Sequence, residues 1–309
     1  MKRRKFLVDT AFGISGALLY PTLGSSMIAD PETIKLTILH TNDTHSRIEP
    51  FPVDGSRNSG KGGMAKRAQM IREIRASEKN ILLFDSGDIF QGTPYFNFFG
   101  GELEMKLMSL MGYDAATMGN HDFDAGVAGF ERQLVHAKFP FIVSNYDFSD
   151  SSLNGKIEPF KVFVKSNIKV GVYGLGIELK GLVPSSLCEG VVYKDPIEVG
   201  NRMSRFLKQE MKCDYVICLS HLGYEYKREP NRVSDKVYAA QSEDVDLILG
   251  GHTHTFLNAP EKVTNKIGRS VLINQAGWGG MVLGKIDILF ERNKKGTCVS
   301  CENLLVGNS

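Results

Sequence analysis

The sequence predicts a mixed α/β sandwich that is parallel in its first half and antiparallel towards its end. Strand-like apolar runs alternate with helical patterns early in the chain, whereas strands dominate later, and no linker interrupts this order. The chain has 309 residues, of which 42% are hydrophobic, so it can enclose a substantial core. We therefore expect residues 27–309 to form one globular domain.

The first elements follow from hydrophobic periodicity. Residues 34–40 alternate as in a half-buried strand, whereas residues 81–84 are apolar throughout and indicate a buried one. Apolar residues recur at helical spacing over residues 64–75 and again over residues 102–111. Both strands stop at loops that carry acidic or histidine residues, which is where chemistry is expected in such a fold.

The later elements are mainly strands. A hairpin is predicted for residues 160–165 and 169–173, with its turn at Ser166 and Asn167. The other predicted strands are residues 115–118, 141–144, 216–220, 247–249, 271–274 and 281–290.

The positive charge is concentrated at the start of the chain. The net charge is +2, but residues 1–26 hold four cations and one acid, or 4 − 1 = +3, which leaves 2 − 3 = −1 for the remainder. A near-neutral chain without a basic stripe lacks the electrostatic pattern that binds nucleic acid polymers. We therefore expect no nucleic acid partner.

Residues 1–26 are expected to be an export signal. A basic start is followed by a weakly apolar run over residues 6–23 and by small residues at positions 24–26. The sequence Arg-Arg-Lys-Phe-Leu at residues 3–7 resembles a twin-arginine signal, with an ordinary Sec signal or an uncleaved amphipathic anchor as the alternatives. The run is too short and too polar for a stable membrane span. We expect a periplasmic or otherwise exported protein.

The cysteine content does not predict a complete disulfide framework. The chain has five cysteines, which is an odd number. Cys298 and Cys301 could close a small loop after export, whereas Cys218 lies in an apolar run and is expected in the core.

Nearly all residues suited to chemistry lie in five short segments that follow predicted strands. Loops at the carboxyl ends of strands are where α/β proteins place their active sites. The segments are residues 41–45, 86–88, 119–124, 220–221 and 250–254.

These segments offer enough ligands for two metal ions. Asp43 and His45 are one residue apart, so in an extended stretch both side chains would point the same way and hold one ion, and His252 and His254 repeat this spacing. Carboxylate, imidazole and amide ligands without a thiolate suit Zn, Mn, Fe, Co or similar ions. Two ions about 3.5–4 Å apart can clamp the attacking and leaving oxygens of a displacement at phosphorus. The candidate ligands are Asp43, His45, Asp88, Asn120, His221, His252 and His254.

The order of the motifs resembles that of calcineurin-like metallophosphoesterases: Asp-x-His, Gly-Asp, Gly-Asn-His-Asp, His and Gly-His-x-His. The sequences of residues 39–45, 86–94, 112–115 and 119–124 resemble more closely those of the bacterial 5′-nucleotidase and UDP-sugar hydrolase family. The similarity extends over about residues 34–290. This resemblance implies a four-layer α-β-β-α sandwich of two mixed sheets.

The resemblance also implies a role for each site residue. Asp88 would bridge the two ions, and His121, oriented by Asp124, would stabilise developing charge or donate a proton while a metal-bound hydroxide attacks phosphorus. No organic cofactor is expected. The first ion would be bound by Asp43, His45, Asp88 and His254, and the second by Asp88, Asn120, His221 and His252.

The expected activity is that of a 5′-nucleotidase, which converts a nucleoside monophosphate into nucleoside and phosphate. The alternatives are a nucleotide-sugar pyrophosphatase, a cyclic-nucleotide phosphodiesterase, or a non-catalytic subunit. Full-length members of the resembling family carry a second, C-terminal substrate domain, whereas only 309 − 254 = 55 residues follow His254 here. We therefore expect that domain to be absent, and a separate chain could supply it.

Four further residues have less specific interpretations. His40 should point away from the ligands, and both His40 and His136 are interpreted as surface or capping residues. Asp122 is expected to be solvated or to cap the following turn. Trp278 is either a packing residue or a wall of the cleft.

Overall fold

The computed structural model describes residues 33–291 and 296–307, so the predicted export signal at residues 1–26 lies outside the described residues. None of the helices within these ranges is long and apolar enough to cross a membrane. The helices are α1 (Met64–Ser77), α2 (Pro94–Phe99), α3 (Glu102–Met111), α4 (Gly126–Gln133), α5 (Pro196–Arg205) and α6 (Asp235–Gln241), with 3-10 turns at His121–Phe123, Leu134–His136 and Ser185–Leu187 and a π-helical turn at Phe206–Glu210.

The strands form two large sheets and one small one. The strands are β1 (Ile34–Thr41), β2 (Ile81–Asp85), β3 (Ala115–Ala116), β4 (Tyr146–Asp147), β5 (Phe160–Lys165), β6 (Ile168–Leu175), β7 (Val192–Tyr193), β8 (Tyr215–Ser220), β9 (Leu247–Leu249), β10 (Glu261–Thr264), β11 (Ser270–Asn274), β12 (Val282–Phe290) and β13 (Thr297–Leu305). The first sheet has the order β13-β12-β1-β2-β3, the second has the order β10-β11-β9-β8-β6-β5, and β4 pairs with β7.

Both large sheets are mixed, as the sequence predicts. In the first sheet β1, β2 and β3 are parallel, whereas β12 and β13 are antiparallel to their neighbours. In the second sheet β6, β8, β9 and β11 are parallel, and the edge strands β5 and β10 are antiparallel. The parallel strands place their carboxyl ends together at one edge of each sheet.

Three apolar clusters show that the sheets pack face to face between two helical layers. Ile38 and Leu82 of the first sheet and Ile217 and Leu249 of the second belong to one buried cluster between the sheets. A second cluster joins the outer face of the first sheet to α1, α3 and α4, and a third joins the outer face of the second sheet to α5 and α6. The predicted four-layer α-β-β-α sandwich is confirmed.

One predicted strand is wrong. Residues 141–144 form only isolated bridges, from Ala116 to Phe141 and from Ile142 to Glu158. The segment also crosses from the first sheet to the second, since the amide of Ser144 donates to the carbonyl of Gly174 in β6 at 2.9 Å. A segment that changes sheets within four residues cannot continue a ladder with either of them.

The predicted hairpin and the pairing of two cysteines are both present. Ser166 and Asn167 turn between β5 and β6 with φ of 46° and 70°, the left-handed pair that a two-residue hairpin favours. Cys298 and Cys301 form a disulfide within β13. The register of β13 shifts opposite Asp287 and Ile288, and this irregularity brings the two cysteines to one side of the strand.

Candidate metal centre

The carboxyl ends of parallel strands position the candidate ligands. β1 is parallel to β2, and β8 is parallel to β9, so the chain leaves each pair at one edge of its sheet. The hydroxyl of Ser86, just after β2, donates to the carbonyl of Leu249 at the end of β9 at 2.7 Å and joins the two edges. The loops that follow carry Asp43 after β1, Asp88 after β2, His221 after β8, and His252 and His254 after β9.

Asp43, His45 and His254 form one candidate metal-binding group, which we call the cleft group. Their ligand atoms lie within 4.8 Å of one another. The Nε2 atoms of His45 and His254 face each other at 2.9 Å, and Nε2 of His254 lies 3.4 Å from Oδ1 of Asp43. Three ligand atoms therefore converge on one small volume.

Asp88, His221 and His252 form a second candidate, which we call the buried group. Nε2 of His221 lies 3.1 Å from Oδ2 of Asp88 and 4.0 Å from Oδ1 of Asp43, so the two groups adjoin. Nδ1 of His252 lies 2.9 Å from Oδ1 of Asn120, which brings that amide to the same place. All seven predicted ligands therefore lie in one region, divided between two groups.

The ligands do not converge by strand alternation, and that prediction is wrong. Asp43 and His45 have φ of 49° and 48°, and His252 and His254 have φ of 71° and 53°, so these four residues are left-handed and neither segment is a regular extended strand. His252 and His254 consequently point to different groups. Left-handed backbone at residues other than glycine costs free energy and persists where surrounding contacts impose it.

Asn42 imposes part of this backbone geometry around Asp43. Its side-chain amide donates to Oδ2 of Asp43 at 2.6 Å and to the carbonyl of Gly277 at 2.7 Å, while its Oδ1 accepts from the amide of Ala276 at 2.8 Å. The backbone amide of His252 donates to both oxygens of Asp43 at 3.0 Å. The Asp43 carboxylate is therefore fixed before any ligand binds.

Asp122 has a comparable role for Asp88, and the prediction that it is solvated or caps the following turn is wrong. Its side chain is fully buried. Its two oxygens accept hydrogen bonds from the backbone amides of Gly119, Asp88, Ile89 and Phe90 at 2.8–3.2 Å. Burial, followed by the neighbouring Asp88 carboxylate, raises the pKa of Asp122 to about 7. Asp122 thus ties the loop after β2 to the loop after β3.

The residues present fit divalent metal ions. Nε2 of His221 is fully buried and has no hydrogen-bond partner within the described ranges, yet it lies between the carboxylates of Asp88 and Asp43. Burial alone would lower the pKa of His221, but these two carboxylates outweigh it and raise the pKa to about 10. The carbonyl of Ser86 accepts from Nδ1 at 2.7 Å, which leaves Nε2 facing the carboxylates. A cation between them would satisfy all three groups.

His121 lies beside the ligands and lines an open cleft, with Asp124 next to its ring. Nδ1 of His121 lies 2.9 Å from Oδ2 of Asp124, and the backbone amide of His121 donates to Oδ1 of Asp88 at 2.7 Å. The hydrogen bond to Asp124 raises the pKa of His121. The cleft has a volume of about 280 Å³, and its walls include His45, Arg47, Gln91, His121, His254 and Trp278.

The structure also shows the environments of His40, His136 and Trp278, the other residues interpreted from the sequence. His40 is fully buried, so its prediction as a surface or capping residue is wrong. Its ring fills space beside Gly284, where a Cβ atom would lie 2.1 Å from Nε2 of His40. His136 is partly exposed at the end of a 3-10 turn. Trp278 lines the cleft, which supports the cleft-wall alternative.

Comparison with known families now decides the identity of this fold and site. A family model described as calcineurin-like phosphoesterase matches residues 36–256. The chain belongs to the calcineurin-like phosphoesterase family. The resemblance in its motifs is thereby confirmed, and the two ligand groups of this phosphoesterase agree with a family that uses divalent ions.

Relatives of this phosphoesterase include proteins named 5′-nucleotidase. The snake venom 5′-nucleotidase of Gloydius brevicauda is 35% identical over 279 residues, covering 84% of this chain and 46% of the relative. The 5′-nucleotidase of Homo sapiens is 34% identical, covering 92% of this chain and 50% of the relative. The 5′-nucleotidase precursor of Thermus thermophilus superposes with a TM-score of 0.80 at 31% identity, covering 89% of this chain and 55% of that structure. The chain thus spans about half the length of the curated relatives it matches.

Proposed function

We propose that this phosphoesterase is a 5′-nucleotidase that converts nucleoside monophosphates into nucleoside and inorganic phosphate. The observation that carries the proposal is the pair of adjoining ligand groups beside a cleft that His45 and His254 of the cleft group line together with His121, the partner of Asp124. The identity of 34–35% to proteins named 5′-nucleotidase supports the choice of substrate.

The predicted ligands would hold two divalent ions, which would in turn bind the phosphate group of the substrate. Asp43, His45 and His254 would bind one divalent ion, and Asp88 with His221 and His252 would bind the other, joined by the Asn120 amide. Two such ions would polarise the phosphoryl oxygens and activate a water molecule for attack on phosphorus. The fixed carboxylates of Asp43 and Asp88 would hold that geometry without rearrangement.

His121 would act on the leaving group. Its Nδ1 is bonded to Asp124, which orients the ring and leaves Nε2 for the cleft. From Nε2 it would donate a proton to the departing ribose oxygen and stabilise negative charge that develops there. Asp124 would keep the ring in this orientation throughout.

A substrate panel tests this proposal. Phosphate release from AMP is measured directly with Mn, Zn or Co restored after chelation. For UDP-glucose and a cyclic nucleotide, the nucleoside monophosphate formed and any phosphate released are quantified after separation, and for bis-p-nitrophenyl phosphate the released nitrophenol is measured. Strong metal-dependent release from AMP is expected. Activity confined to UDP-glucose or to the cyclic nucleotide would instead favour one of the alternative phosphoesterases and contradict the proposal.

Variants of His121 and Asp124 distinguish a loss of catalysis from a loss of the metal-bound structure. His121→Ala should lower kcat on AMP by about 10²–10⁴-fold while the bound metal content stays the same. Asp124→Ala should lower kcat less, because the ring remains but loses its orientation. His136→Ala is the matched control, since it removes a partly exposed histidine outside the cleft. Unchanged turnover of His121→Ala would remove His121 from the mechanism.

Two further proposals concern the whole protein. We propose that residues 1–26 direct export by the twin-arginine route, which the Arg3-Arg4 sequence supports. A folded reporter fused to these residues should be exported, and changing both arginines to lysine should stop it.

Because the relatives are about twice as long, we also propose that a separate chain could add to substrate selection. Co-purification of an active, nucleotide-selective monomer alone would count against this.

A further inference from the structure

Trp278 has a fixed position in the wall of the cleft. Its ring is nearly parallel to that of His254, with 5.6 Å between centroids and an angle of 14°. Phe51 meets the indole edge-on at 5.4 Å and 82°. The next residue is also held, since the amide of Gly279 donates to the carbonyl of Asp43 at 2.7 Å. The indole is therefore held next to a candidate metal ligand.

The surroundings of Trp278 combine apolar and cationic groups. The guanidinium of Arg47 lies 4.2 Å from the centroid of the Phe51 ring. Arg47 also lines the cleft. Within the described residues, no carboxylate oxygen lies within 4.0 Å of its guanidinium. An aromatic plane and an unpaired cation thus border the space where a phosphate ester would bind.

We propose that Trp278 determines specificity by stacking against the nucleobase of the nucleoside that departs in the nucleotidase reaction. This inference rests on the proposed function. Trp278 is partly exposed although it also packs against a small apolar cluster with Ala276 and Met281. Every nucleobase has a π-face, so an aromatic wall favours nucleotides over sugar phosphates without selecting one base.

The competing explanation is that Trp278 only orients His254. Stacking on His254 would then matter for metal binding and hence for every ester alike. The two explanations differ in one measurable quantity, which is the ratio of kcat/KM for AMP to that for ribose 5-phosphate. Both esters present the same phosphate on a ribose, so a defect in metal binding cancels in the ratio.

The first experiment compares this ratio among Trp278 variants. Trp278→Leu should lower the ratio about tenfold or more, while the value for ribose 5-phosphate stays within a few-fold of the wild type. Trp278→Phe retains an aromatic face and should restore most of the ratio. Phe98→Leu is the matched control, because Phe98 is an exposed aromatic residue outside the cleft lining.

A second experiment observes the contact itself. Trp278 is the only tryptophan in the chain, so intrinsic tryptophan fluorescence reports this residue alone. In the His121→Ala protein loaded with metal, AMP should quench this fluorescence saturably, whereas ribose 5-phosphate should not. The variant is chosen so that AMP is not consumed during the titration.

Failure of the inference and failure of the proposed function give different results. An equal loss for AMP and ribose 5-phosphate in Trp278→Leu, or absence of quenching by AMP, would overturn the role of Trp278 and leave the nucleotidase intact. No metal-dependent phosphate release from AMP by the wild-type protein would overturn the proposed function and this inference with it.

Discussion

The two candidate ligand groups differ in how firmly the fold holds them. In the buried group, His221 is fully enclosed, and its Nδ1 donates to the carbonyl of Ser86 at 2.7 Å. In the cleft group, the side chain of His254 is 41% exposed and its ring is held by stacking on Trp278. Both groups contain a fully buried carboxylate, so the difference lies in these two histidines: His221 is held by a hydrogen bond in the interior, and His254 is held by stacking at the surface.

This difference suggests a division of roles. A buried and oriented ligand loses little conformational freedom when it binds, so its affinity for an ion is high. A partly exposed ligand that is held by ring stacking alone keeps more conformational freedom to lose when it binds an ion, but it lies in the cleft lining. We expect the buried group to retain its ion more tightly and the cleft group to exchange its ion more readily.

The largest expected effect comes from removing one histidine from each group. His221→Ala leaves two buried carboxylates without the imidazole between them, so kcat should fall about 1000-fold or more and one ion should be lost. His254→Ala should lower kcat only about 10–100-fold, with partial recovery at high metal concentration. The measurements are kcat on AMP and the metal content per chain.

The comparison fails if the two variants behave alike. Equal losses of activity and metal would mean that burial does not rank the two groups. A circular dichroism melt of each variant separates loss of metal from loss of fold, since His221 also lies in the interior.

Asp122 and Asn42 provide a second, smaller test. Asp122→Asn removes one acceptor and turns an amide towards four backbone N–H groups, so the free energy of unfolding should fall by about 2–3 kcal/mol. Affinity for the ion at Asp88 should fall with it. Asn42→Ala should instead weaken the ion at Asp43, whose carboxylate Asn42 contacts at 2.6 Å. Metal titration monitored by calorimetry distinguishes the two sites, and one shared defect would argue against separate supports.

The sequence predicts those parts of the molecule whose signals are local. The predicted helix at residues 102–111 coincides with α3 (Glu102–Met111), and the predicted turn at Ser166 and Asn167 is present. The helices α5 and α6 were not predicted, although Asp195 and Ser234 accept hydrogen bonds as their N-caps. Those caps were visible in the sequence, and the short length of both helices weakened their periodicity.

The features of the site that the sequence did not predict depend on tertiary contacts, which the spacing of residues along the chain cannot show. The role of Asp122 requires donors that are 32–34 residues away in the chain, in a loop whose path is set by tertiary structure. The left-handed backbone at Asp43 and His45 likewise depends on Asn42 and on the loop after β9. Residue types therefore predicted which side chains meet, while the way they meet followed only from the assembled sheets.

The smallest expected effect concerns His40, three residues before Asp43 but outside both ligand groups. Burial lowers its pKa to about 3, and Asn274 lies 2.8 Å from its Nε2. The native state therefore binds fewer protons than the unfolded chain below about pH 6.5, so stability should decline as the pH falls towards 3, by about 2 kcal/mol at pH 5. His40→Gln should remove this component in chemical denaturation with chelator present, whereas His136→Gln should follow the wild type. An unaltered pH profile for His40→Gln would show that acid sensitivity arises in the ligand histidines instead.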